Sequence, residues 1–125
     1  MNLKTLLSVH ALLTFAAGIV LIVAPSVVPD TVNIQINKDQ YLLCYFLGAA
    51  EIAIAYLSFV SRNLTDKQAL KMIVTTFIIF HGATALLEFY GLTQGISLKI
   101  IGNIILRSMI VVLFYYYGIL KKRTT

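Results

Sequence analysis

The sequence predicts an all-α, polytopic membrane protein, with four transmembrane helices packed as an antiparallel up-and-down bundle in one domain over residues 1–125. Three observations lead there. Hydrophobic residues make up 59% of the chain and charged residues only 12%, about half the roughly 25% charged residues of a typical soluble domain. Four apolar segments each approach the roughly 20 residues that a helix needs to cross about 30 Å of hydrocarbon. The basic residues, Lys+Arg 10 against Asp+Glu 5 for a net charge of +5, fall between those segments, where they act as topology signals and headgroup contacts. An ordinary soluble enzyme, a disordered chain and a disulfide scaffold are thereby excluded. No nucleic-acid partner is expected, and the one cysteine, Cys44, sits inside an apolar run.

The first span covers about residues 5–24 and stops at Pro25, which cannot continue a helix. Its apolar stretch is too long for a signal-peptide core and lacks a small-x-small cleavage site, so it is expected to remain as a helix. The outer loop, 25–40, alternates polar and apolar residues from Thr31 to Asn37. A lone strand has no partner there, so an extended segment across the bundle mouth is expected. A lid or a partner-docking edge is its functional alternative. The second span, about 41–60, follows Asn37, Asp39 and Gln40, which suit a helix start. The third, about 72–90, is preceded by Thr65-Asp66-Lys67-Gln68, a capping-box pattern that starts the helix near Asp66. Gly91 suits its stop and Gly95 the turn into the fourth span, about 98–120.

Lys4, Arg62, Lys67, Lys71, Lys121, Lys122 and Arg123 lie on one side of these spans and Lys38 and Lys99 on the other. Seven against two places both termini in the cytoplasm. Tyr41, Phe89 and Tyr90 then form the outer aromatic belt, and Phe59 and Tyr115-Tyr116-Tyr117 the inner one. Lys121-Lys122-Arg123 would meet anionic headgroups. The sequon Asn63-Leu64-Thr65 falls on the cytoplasmic side, so glycosylation is not expected.

Ionisable side chains inside a span cost about 2.5–3.5 kcal/mol each at the centre, and persist when they face other helices or a cavity. Counted from the outer ends, Glu51 lies 10 residues in, and His81 and Arg107 9 each, about 14 Å deep at 1.5 Å per residue. At 100° per residue each helix carries one small or polar stripe. These are His10, Thr14, Ala17 and Leu21, with Gly18 at the edge; Cys44, Gly48, Glu51, Ala55 and Ser58; His81, Thr84, Ala85 and Glu88; and Lys99, Asn103, Arg107 and Phe114. Turned inward, the stripes would pair Glu51 with Arg107 beside His81, and bring Asn103 to Glu88. Such a network can simply fix helix register. It is also the candidate ligand or proton site, and His81 is the group best suited to protonation chemistry.

His10 counts about five residues, roughly 7 Å, deeper than His81, so a structural role is expected for it, and a tetrapyrrole bridging the two is not. No metal-ligand spacing, catalytic triad, P-loop or GxGxxG run is present, so neither metal nor catalytic residues are assigned.

Three stretches, Gly18–Pro25 (GIVLIVAP), Tyr45–Asn63 (YFLGAAEIAIAYLSFVSRN) and Phe80–Gly95 (FHGATALLEFYGLTQG), resemble small uncharacterised bacterial integral membrane proteins with four helices, a domain of unknown function. The resemblance implies a bacterial cytoplasmic-membrane location and no particular activity. The leading functional expectation is a non-enzymatic accessory subunit, or a binder of a lipid-like ligand seated in the outer half under the 25–40 loop. The alternatives are a proton-coupled carrier or channel unit acting as a homo-oligomer or within a larger membrane complex, and a membrane enzyme using His81 and Glu51.

Overall fold

The first helix, α1 (Leu3–Val23), begins where the Asn2 side chain accepts the Thr5 amide at 2.8 Å, satisfying a donor that no helical carbonyl can reach. This is a computed structural model, and it describes residues 2–121. After α1 the chain makes a short helix, α2 (Val27–Thr31), where an extended segment was expected. Pro29 fits because the first amides of a helix have no partner to lose. The stretch from Ile34 to Asn37 forms no regular element, and no strand occurs among the described residues. Asn33 takes a left-handed φ of 58°, which Asn tolerates better than most residues.

The 3-10 turn Lys38–Gln40 leads into α3 (Tyr41–Ser61) through a capping box between Asn37 and Gln40. Next comes α4 (Lys67–Thr93), whose N-cap Asp66 accepts the Gln68 and Ala69 amides at 2.8 and 3.1 Å. Asp66→Ala should cost about 1 kcal/mol and speed amide hydrogen exchange in the first turn of α4. Unaltered exchange there would show that the cap is dispensable.

The far end of α4 departs from expectation. Gly91 does not stop the helix, which runs on to Thr93, and the turn falls at Gly95 with φ 89°. The last segment is composite, a 3-10 turn over Leu98–Ile100, α5 (Ile101–Phe114) and a π-helical turn over Tyr115–Leu120. The headgroup contacts expected of Lys122 and Arg123 lie outside the described residues.

Four helical segments, Leu3–Val23, Lys38–Ser61, Lys67–Thr93 and Leu98–Leu120, are long and apolar enough to cross a membrane, which is consistent with an integral membrane protein. α1 packs mainly on α3, and α4 mainly on α5, with narrower contacts of α1 on α5 and α3 on α4. The first pairing is close because two glycines meet. A Cβ on Gly48 would lie 2.9 Å from the Gly18 carbonyl oxygen, and one on Gly18 would lie 2.8 Å from that of Gly48. Leu3, Leu6, Leu7, Leu70, Val74, Phe77 and Phe114 form a dry apolar cluster around the start of α1, the first half of α4 and the end of α5. Large apolar side chains such as Leu43, Phe46, Leu86 and Leu87 are exposed on the outward faces.

Candidate functional site

The stripe on α3 is buried along its length. Cys44, Gly48, Glu51, Ala55 and Ser58 all face inward, and Ser61 extends the stripe. On α1, His10, Thr14, Gly18 and Leu21 are buried, with Ala17 only partly covered. On α4, His81 and Ala85 are buried and Thr84 and Glu88 partly so. On the last segment Phe114 is buried and Asn103 and Arg107 are partly buried. Lys99 is the exception. It is exposed, and its Nζ donates to Asn33 Oδ1 at 3.0 Å, tying the outer loop to the start of the fourth segment.

The inward side chains form one connected series. Arg107 Nε donates to Glu88 Oε1 at 3.2 Å, and Asn103 Nδ2 donates to the same oxygen. Arg107 Nη1 lies 3.3 Å from His81 Nδ1. His81 Nε2 lies 2.8 Å from His10 Nε2, and His10 Nδ1 lies 2.9 Å from Ser58 Oγ. Ser58 Oγ donates to the Leu7 carbonyl at 3.1 Å. Glu51 reaches Arg107 Nη2 only at 3.9 Å, so the expected Glu51–Arg107 pair exists but is looser than the Arg107–Glu88 pair. His10, Glu51 and His81 are only 3%, 4% and 2% exposed.

The permanently charged guanidinium fixes the direction of this series when both imidazoles are neutral. Arg107 can only donate, so His81 Nδ1 accepts and its Nε2 carries the hydrogen. His10 Nε2 then accepts, His10 Nδ1–H donates to Ser58, and the Ser58 hydroxyl donates to Leu7. Every donor points the same way. Beyond His10 the surroundings are apolar, since its ring packs on Phe77 at 4.9 Å and edge-on to Phe114 at 5.0 Å between centroids.

Sequence reasoning placed Glu51, His81, Arg107, Glu88 and Asn103 together, and the structure brings them together. It missed His10 and Ser58 as members of the series. The expected depth gap between His10 and His81 is wrong because it took Tyr90 as the outer end of the third span. With α1 ending at Val23 and α4 at Thr93, the two histidines are 13 and 12 residues from their helix ends, hence level. Their shared inward face was the signal that could have paired them.

The two Nε2 atoms are 2.8 Å apart, so the depth argument against a tetrapyrrole between these histidines falls. Among the described residues no group of three or more His, Cys, Asp or Glu could hold a metal ion.

No family model, no curated protein and no solved structure matches this chain.

Proposed function

We propose that this is an integral membrane protein of the bacterial cytoplasmic membrane. Its helices cross up and down with both termini inside, and its interior cluster takes up one proton as part of a proton-coupled carrier or channel unit. The observation that carries this reading is the unbroken series of polar contacts joining ionisable groups from all four spanning segments. Two carboxylates, Glu51 and Glu88, face a single guanidinium. With both ionised the enclosed cluster is one positive charge short, which one proton supplies. Glu88 Oε2 is buried and has no hydrogen-bond partner, so one acceptor already stands open.

A proton on the histidine pair would also change the geometry. Neutral imidazoles share two hydrogens among four ring nitrogens, and each contact described above uses them fully. A third hydrogen must either put N–H groups on both Nε2 atoms or put one on His81 Nδ1, facing the Arg107 donor. Either way one contact breaks. The second case releases Arg107 toward Glu51 and Glu88, coupling protonation to a shift between α5 and α4. The apolar cluster around Leu7, Val74, Phe77 and Phe114 closes the cytoplasmic side of the series. The site therefore loads from the outer side and opens inward only when the helices move, in keeping with a carrier unit that works in an oligomer or a larger complex.

Binding a lipid-like ligand at this same cluster fits less well. A headgroup would have to part side chains that are almost fully buried, while a proton needs only the hydrogen bonds already present. His81 itself is almost fully buried, which counts against an acid–base enzyme that must admit a substrate to it.

The test is proton uptake into liposomes carrying the protein, driven by an imposed pH gradient. His81→Ala and Glu51→Gln should each lower uptake by about a hundredfold, the lower end of the range for removing a proton-transfer group. Uptake by both variants equal to that of the unaltered protein would refute the proposal.

A further inference from the structure

A groove of about 560 Å³ runs along the outside of the α1–α3 pair, and none of the linked polar side chains from His10 to Arg107 lines it. Its volume falls within the roughly 300–1,000 Å³ of ligand sites. Ala11 and Ala55 form its floor, Leu12, Phe15 and Ile52 line its walls, and Arg62 stands at one end. From Ile52 to Arg62 the groove follows ten residues of helix, about 15 Å. That is half of a roughly 30 Å hydrocarbon core, the depth of one leaflet.

Arg62 is the second observation. Its guanidinium carbon lies over the Phe59 ring, 3.7 Å from the centroid. Its Nε is buried without a hydrogen-bond partner, and it forms no ion pair among the described residues. A planar cation resting over an aromatic ring, with donors to spare, suits an oxyanion such as phosphate. None of the groove residues is acidic, so two copies packed groove to groove would bring no carboxylate of the groove to Arg62, whereas an amphiphile with an anionic head would satisfy both ends.

We infer that the α1–α3 groove is a binding site for one anionic phospholipid of the inner leaflet, with an acyl chain along the Ala11–Ala55 floor and the phosphate on Arg62. The inference rests on the membrane reading above and is independent of the proton reading. The leaflet assignment follows from Arg62 lying at the end of α3 on the side rich in Lys and Arg. The site is concave because Ala11 and Ala55 leave room between bulkier neighbours, and it is oriented because its cation sits at one end only.

The experiment is native mass spectrometry of delipidated protein, released from detergent after incubation with phosphatidylglycerol, phosphatidylcholine or glycerol phosphate. The expected result is one phosphatidylglycerol per chain, retained at least about tenfold better than phosphatidylcholine, whose phosphate is offset by its own choline cation and so makes a weaker charge-assisted contact with Arg62. Glycerol phosphate alone should not be retained. Arg62→Gln should lose that preference, and Ser8→Phe, which fills the groove beside the intact Arg62, should lose the bound lipid. Circular dichroism confirms that both variants are folded. Equal retention of the two lipids, retention of glycerol phosphate alone, or unchanged lipid binding by the folded variants overturns the site. A dimer that excludes lipid from this face does so too. Extraction of the protein from membranes by alkaline carbonate would instead overturn the membrane reading, so the two failures are distinguishable.

Discussion

Replacing Arg107 with Met is expected to destabilise the protein by about 3–5 kcal/mol, the usual cost of removing one partner from a buried ion pair. The arginine is the only cation facing Glu51 and Glu88 among the described residues, and it also holds the acceptor nitrogen of His81. Met has a similar reach and no charge, so the loss would come from the abandoned carboxylates rather than from a void. Adding Glu51→Gln and Glu88→Gln to the same chain should restore most of the lost stability, because no charge is then left unpaired. Reversible unfolding in mixed micelles measures all the variants. A loss below about 1 kcal/mol for Arg107→Met, the value of an exposed pair, would mean that water reaches the cluster and that it is not the enclosed proton site proposed above.

The second large effect is expected from Gly48→Leu. Even a Cβ at this position would meet the Gly18 carbonyl oxygen at 2.9 Å, Leu21 Cβ at 3.1 Å and Ile22 Cγ1 at 2.8 Å. Two of these are backbone or the root of a side chain and cannot rotate away. The helices must therefore separate, and overpacking of this kind costs about 1–3 kcal/mol, occasionally more. The upper end is expected here because helix association in lipid depends on close packing, without a hydrophobic drive between the helices. Separation would also pull Ser58 from the Leu7 carbonyl and loosen His10. The cysteine pair Ser8→Cys and Tyr56→Cys, placed on the two sides of the groove, would report the change by slower oxidative cross-linking when Gly48→Leu is added. Cross-linking at the original rate would show that α1 and α3 had not moved apart.

Much of this was legible from the residues. Hydropathy and length identified the four helical segments long and apolar enough to cross a membrane, and the 100° period selected the buried faces, down to the Cys44–Gly48–Glu51–Ala55–Ser58 series on α3. Asn37 and Asp66 announced their helix starts through their side-chain chemistry. The failures share a cause. Gly91 was read as a stop because glycine often follows a helix, yet the helix passes it and turns at Gly95, where a positive φ is needed. That shift of three residues made His10 and His81 look unequal in depth. Lys99 shared a stripe with Asn103 and Arg107, but it lies near the segment's end, where Asn33 of the loop offers it a partner.

The number of long apolar helical segments, the face each turns inward and the set of polar residues on those faces were determined by the sequence alone, because hydrophobicity and helical period are properties of a few consecutive residues. The tertiary structure alone decided which polar groups touch. A hydrogen bond requires agreement within a few tenths of an ångström near 3 Å, while one misjudged helix turn moves a side chain by about 5.4 Å. The axial offsets and tilts that bring His10 to His81, Arg107 to Glu88 and Ser58 to Leu7 arise from the fit of one helix against another, such as Gly18 against Gly48. No single segment carries that information.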